Sequence, residues 1–109
     1  MPRQSKSAEN TTDRGIHRIV VEKNMIGEHS LELEKQFQSE ITRITSPVTL
    51  DLTRTSLIDS RGIALCVGLL KECEKKGMPL TVEVNSGLAR FFKLLKLNRV
   101  FKLEDQGEI

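Results

Sequence analysis

Tryptophan and tyrosine are absent from these 109 residues, and the four phenylalanines, Phe37, Phe91, Phe92 and Phe101, sit inside apolar patterns. No platform for stacking nucleic-acid bases is visible. An excess of one charge is missing too. Seventeen basic residues face 15 acidic ones, a net +2, which makes no case for a polyanion-binding surface. Direct nucleic-acid binding is therefore not expected. Apolar runs fall well short of the ~18 residues of a membrane span, and the opening MPRQSKSAENTTDRG has no apolar middle of a secretory signal. No membrane insertion is expected. Cysteine is scarce: Cys66 and Cys73 lie seven residues apart in one expected helix. They would stand roughly 10 Å apart, beyond the ~7 Å reach of a disulfide. Two thiols without a framework suit a reducing compartment, so a cytoplasmic location is the expectation. With the isolated His17 and His29 they make no four-ligand set, and neither a metal nor another cofactor is expected.

What is present is an ordinary globular composition, 38% hydrophobic and 29% charged, in a chain long enough to bury one core. Residues 1–14 read as a flexible polar tail, 15–105 as a single domain and 106–109 as a second short tail. Ile16–Glu22 is a β-branched strand. Residues 23–29 fit either a short strand or a loop turning at Gly27. From Ser30, a plausible cap, to about Thr45, the positions Leu33, Phe37, Ile41 and Ile44 recur at helical spacing, and Pro47 closes the segment. Val48, Leu50 and Leu52, and again Leu80, Val82 and Val84, alternate with polar residues as in strands. Ser60–Lys76 is helical and stops at Gly77. A third helix covers SGLARFFKLLKL, with Asn85 or Ser86 as cap and Leu88, Phe91, Phe92 and Leu95 on one face; RVFKLE is a last strand. This order implies an α/β fold with right-handed crossovers. The one-sided alternation of the strands implies helices mainly on one face of the sheet.

The chemistry concentrates at the junction LIDSRGIAL, residues 57–65. Asp59 and Ser60 are preferred N-caps, since a side-chain oxygen satisfies an orphan backbone N–H. A nucleophile elbow needs a small residue two before the serine, but Ile58 is there, and both histidines precede Ser60. A serine hydrolase is not supported, and the expectation is a protein that is not an enzyme. The junction also has the physics of a switch. Phosphate on Ser60 would add about −1.5 to −2 charges where a helix start tolerates an anion, and the surrounding surface would change sign. Beyond it, Ile63, Cys66, Val67, Leu70 and Cys73 fill an arc of about 120° that suits the sheet. Leu65 and Leu69 lie on one flank, either under the first helix or on a partner surface. Ala64 and Gly68 form a shallow strip on the opposite flank, where another backbone could approach.

The run from Val48 to Leu103, with Asp51-Leu52-Thr53, an apolar pair before Asp59-Ser60, then Gly62, Gly77 and the Phe-rich helix, resembles the STAS domain family, and within it the bacterial anti-sigma-factor antagonists. The resemblance implies a small mixed β-sheet with amphipathic helices. It implies a partner switch: an anti-sigma factor that is itself a serine kinase binds the bare protein and phosphorylates it, and a serine phosphatase restores it. Transcription is then controlled indirectly. By motif position Ser60 is the phosphoacceptor. The expected partner surface is Asp59, Ser60, Arg61, Gly62, Ala64, Leu65 and Gly68, with Gly62 keeping the helix start accessible. A STAS subunit of a scaffold or lipid-transport complex, without a switch, is the alternative. Arg61 stands where relatives often carry a small hydroxyl residue, and it could pair with a phosphate on Ser60. Thr55 stands where an apolar residue is commoner. The residues leave the oligomeric state open; a homodimer is compatible with them.

Overall fold

The computed structural model describes residues 12–13 and 15–107. Five strands form one sheet in chain order: β1 (Thr12–Asp13), β2 (Ile16–Val20), β3 (Val48–Leu52), β4 (Leu80–Val84) and β5 (Lys102–Asp105). β1 runs antiparallel to β2, and the other neighbours are parallel. Three helices make the crossovers: α1 (Ser30–Ile41), α2 (Ser60–Lys75) and α3 (Ser86–Leu94). Strands that add always to the same side, joined by right-handed crossovers, must place every helix on one face.

The alternation of β2, β3 and β4 shows that face. Ile19, Leu50, Leu52, Val82 and Val84 are buried in one core with Leu33, Phe37, Cys66, Leu69, Leu88 and Phe92. The opposite face carries Arg18, whose guanidinium donates to Asp51 at 3.0 Å and to Glu83 at 2.8 Å. The two carboxylates, Glu83 foremost, raise the Arg18 pKa. At the edge of the core the buried His17 on β2 meets the buried Glu40 on α1, Nε2 to Oε1 at 2.6 Å, so a polar pair pins α1 to the sheet.

Several element ends differ from the sequence expectations, each for a local reason. α1 is not capped by Ser30. His29 is its N-cap, without a side-chain capping bond, behind a 3-10 turn at Gly27–His29. The helix stops at Ile41 rather than near Thr45. The next backbone bonds tighten, Arg43 N to Glu40 O and Ile44 N to Ile41 O, and the tighter turn still delivers Ile44 to the core. β2 ends at Val20, although Val21 N still bonds Asp51 O. The ambiguous stretch 23–29 combines both readings, a single parallel bridge from the buried Met25 to Ile58 and then the 3-10 turn. α3 ends at Leu94, because Lys96 takes a left-handed φ of 61°. A 3-10 turn over Leu97–Arg99 then turns the chain so that Phe101 meets Phe92 edge-to-face, ring centroids 6.0 Å apart. Leu95, expected on the buried face, is exposed in consequence, and Ala89 takes a buried place.

The buried line of α2 is Gly62, Cys66, Leu69 and Cys73, while Ile63, Val67 and Leu70 are only half-buried. The helix is thus turned from the expected arc towards Leu69, because α1 lies alongside and shares the buried face with the sheet. Burial pushes the thiol pKa of Cys66 up to about 12 and that of Cys73 to about 11. Residues 1–11, 14 and 108–109, within the two expected tails, lie outside the described residues. Of the rest of those tails, residues 12–13 form β1. Gln106 N bonds Val84 O, and Gly107 O accepts from Ser86 N.

Candidate functional site

Parallel strands with helices returning on one face deliver all their outgoing loops to the same edge of the sheet. Here that edge gathers residues 24–29 after β2, residues 53–59 after β3 and Asn85-Ser86-Gly87 after β4. Ligands and partners of α/β sheets meet the protein at such an edge.

Asp59 is the centre of this edge. Its backbone is extended (φ −112°, ψ −172°), as an N-cap requires, and its Oδ1 accepts from Arg61 N at 3.0 Å and Gly62 N at 3.1 Å. Oδ2 accepts from Gly27 N at 2.9 Å, so the carboxylate also ties the 3-10 turn to the start of α2. These donors, Gly62 first, then Gly27 and Arg61, hold the Asp59 pKa below its ordinary value. Asp59 is therefore the cap, which the sequence left open between it and Ser60.

The loop before it is held from both sides. Asn24 Oδ1 accepts from Ser56 N and Leu57 N. Asn85 donates from Nδ2 to Thr53 O and Thr55 O, while its Oδ1 caps α3 by accepting from Leu88 N at 2.9 Å. The buried Thr55 hydroxyl donates to Lys23 O, so the polar residue at that position satisfies a carbonyl that an apolar one would leave open. Asn24 and the clamping role of Asn85 were missed by sequence reasoning. Asn24 lay in the unassigned stretch and carried no periodic signal. Asn85 had one, its place before a helix, but a cap preference says nothing of its amide donors.

Gly62 is buried, so the expectation that it keeps the helix start accessible is corrected. A Cβ there would stand 2.3 Å from Met25 O and 2.7 Å from Ile58 Cγ1. Its lack of a side chain lets α2 close onto the Met25–Ile58 bridge. Ser60, the first helical residue, is exposed, and its hydroxyl has no hydrogen-bond partner among the described residues. The exposed Arg61 lays its side chain over Gly27, which a Cβ on Gly27 would meet at 3.5 Å; its guanidinium makes no hydrogen bond or ion pair among the described residues, but its charge helps to hold the Asp59 pKa down. Neither histidine reaches Ser60. His17 is paired with Glu40, and His29 donates from Nδ1 to Asn24 O.

The expected partner residues thus fall into two places. Asp59, Ser60, Arg61 and Gly62 share the helix start. Ala64, Leu65 and Gly68 line a groove of about 190 Å³ with Phe37 and Ile41 of α1; Gly68 stands roughly 12 Å along the axis from Ser60. Ala64 and Gly68 are therefore not on a flank opposite to Leu65 and Leu69, but in the same groove, and Leu69 is buried beneath it. A second groove, about 130 Å³, lies between Ser56-Leu57-Ile58 and Gly87, Leu88 and Phe91 of α3.

Four parallel strands with helices on one face, and an Asp-Ser pair at the start of the second helix, define a small α/β domain. The STAS domain family model matches residues 7–107, and the chain belongs to that family. Among solved structures it is similar to a protein from Thermotoga maritima described as a "putative anti-sigma factor antagonist", with a TM-score of 0.74 and 20% identity over 88% of this chain and 84% of the other. At that identity the likeness speaks for the fold. Among the described residues, no helix is long and apolar enough to cross a membrane.

Proposed function

We propose that this protein is an anti-sigma-factor antagonist that works by partner switching. Unphosphorylated, it binds a cognate anti-sigma factor that is also a serine kinase, and so frees a sigma factor. Phosphorylation of Ser60 releases it, and a serine phosphatase resets it. The observation that carries this reading is the Ser60 hydroxyl, exposed and without a hydrogen-bond partner among the described residues, on a helix start whose fold is maintained by Asp59 rather than by Ser60 itself. A phosphate there would face the positive end of the helix dipole, so the fold tolerates the modification. The partner would meet two added negative charges at the centre of its contact, and like charges across an interface cost binding free energy. Arg61, next in sequence and exposed, would moderate that repulsion without removing it.

Calorimetric titration of the anti-sigma factor tests the switch. Wild type and Ser60→Ala are expected to bind with similar affinity, and Ser60→Asp at least about tenfold more weakly. Equal binding of Ser60→Asp would contradict the switch and favour a STAS subunit without one.

A further inference from the structure

The overall charge balance conceals a local imbalance. Between Asn85 and Leu103 lie five cations, Arg90, Lys93, Lys96, Arg99 and Lys102, and no acid. The rest of the chain holds 12 basic residues against the 15 acidic ones, a net −3. Four of them, Lys93, Lys96, Arg99 and Lys102, fall in the last turn of α3, the 3-10 turn and the start of β5, and Arg90 lies one turn before Lys93 on α3. All five are exposed, and none of their side chains makes an ion pair or hydrogen bond among the described residues. Elsewhere several cations are paired: Arg18 with Asp51 and Glu83, Lys23 with Glu32, Arg43 with Glu40, Arg54 with Glu22 and Lys75 with Glu72. Set among the unpaired cations are apolar side chains held out into water: Leu94 at 79% exposure, Leu95 at 46% and Val100 at 49%.

Two consecutive leucines facing water have a local cause, since the left-handed Lys96 ends α3 and turns the chain away before Leu95 is covered. We propose that this lip docks peripherally on an anionic lipid surface, the leucines entering the headgroup boundary and the cations meeting the lipid phosphates. An interfacial site combines apolar side chains with Lys and Arg in this way. The shape favours a bilayer over an acidic peptide. A peptide's apolar anchors need a concave groove, whereas a leucine left 79% exposed, as Leu94 is, protrudes from the surface rather than lining one. The docking is peripheral, in keeping with the absence of a spanning helix among the described residues. It does not depend on the switch at Ser60.

Co-sedimentation with vesicles tests it. The protein is expected to bind equimolar phosphatidylglycerol–phosphatidylcholine vesicles at low salt and to leave pure phosphatidylcholine in solution. It should be released near 0.5 M salt, where the screening length falls to about 4 Å. Lys93→Glu with Arg99→Glu should weaken vesicle binding at least about tenfold, and Leu94→Ser with Leu95→Ser comparably, with unchanged melting curves. The salt arm needs no variant, so a failure of either pair to fold does not spoil the test. Overturning results are no vesicle binding at low salt, binding that ignores lipid charge, or capture by a Leu-Glu peptide without capture by vesicles.

Discussion

Two places in this molecule carry the same short phrase with different outcomes. Asp59-Ser60 opens α2 and Asn85-Ser86 opens α3, and in each the Asx residue is the N-cap and the serine the first helical residue. At α3 the serine is consumed: Ser86 Oγ donates to Asp105 Oδ1 at 3.2 Å, and its backbone N–H bonds Gly107 O. At α2 the serine is left over. Asp59 alone satisfies the backbone donors, and Ser60 holds an exposed hydroxyl with no hydrogen-bond partner among the described residues. What separates them is the neighbouring chain. β5 and the residues after it run past the start of α3, whereas the turn after β2 reaches α2 through Asp59 and Gly62 and leaves Ser60 outside. A cap motif becomes a candidate switch only where surrounding elements spare the serine.

The comparison can be broken hardest at the glycines. Gly62→Ala should destabilise by about 3 kcal/mol, because the added Cβ meets a backbone carbonyl that cannot yield cheaply. Gly87→Ala near the start of α3 meets only Asn85 Oδ1 at 3.4 Å and should change stability by no more than about 0.5 kcal/mol. Urea denaturation of both variants measures the contrast. Removal of the caps comes next. Asn85→Ala loses the α3 cap and two donors to the loop in a buried place, about 2 kcal/mol. Asp59→Ala should cost less, because its bonds lie in a more exposed place than those of Asn85, yet it should speed amide exchange at Gly27, Arg61 and Gly62 together.

The smallest effect is one of pH. The folded Asp59 carboxyl titrates below its unfolded value, so its contribution is complete above that unfolded value, about 3.9, and is lost as pH falls through the folded one. The gap in urea midpoint between wild type and Asp59→Asn should therefore be constant above about pH 5 and shrink below about pH 4. A gap that widens on acidification would contradict the bonding assigned to Asp59.

The alternation of Val48, Leu50 and Leu52 and of Leu80, Val82 and Val84 was enough to put the helices on one face, since a two-residue period with one polar side leaves little choice. The Asp59-Ser60 junction was legible for the same reason: cap chemistry is local. What stayed hidden depends on contacts between segments distant in sequence. The rotation of α2 towards Leu69 is set by α1, and periodicity marks a buried arc without saying which neighbour shares it. Gly62 needs close packing from Met25, 37 positions earlier in the numbering. The end of α3 at Leu94 goes with the left-handed Lys96, a non-glycine residue whose turn helical spacing could not announce, and which leads to the contact of Phe92 with Phe101.

The most direct test is to incubate the protein with the anti-sigma kinase proposed as its partner and ATP and to locate the phosphate by peptide mass spectrometry. The expected result is one phosphate on Ser60, lost in Ser60→Ala and undiminished in Ser86→Ala. Phosphate on Ser86, or labelling that persists in Ser60→Ala, would contradict the claim that the spared serine at the start of α2 is the switch.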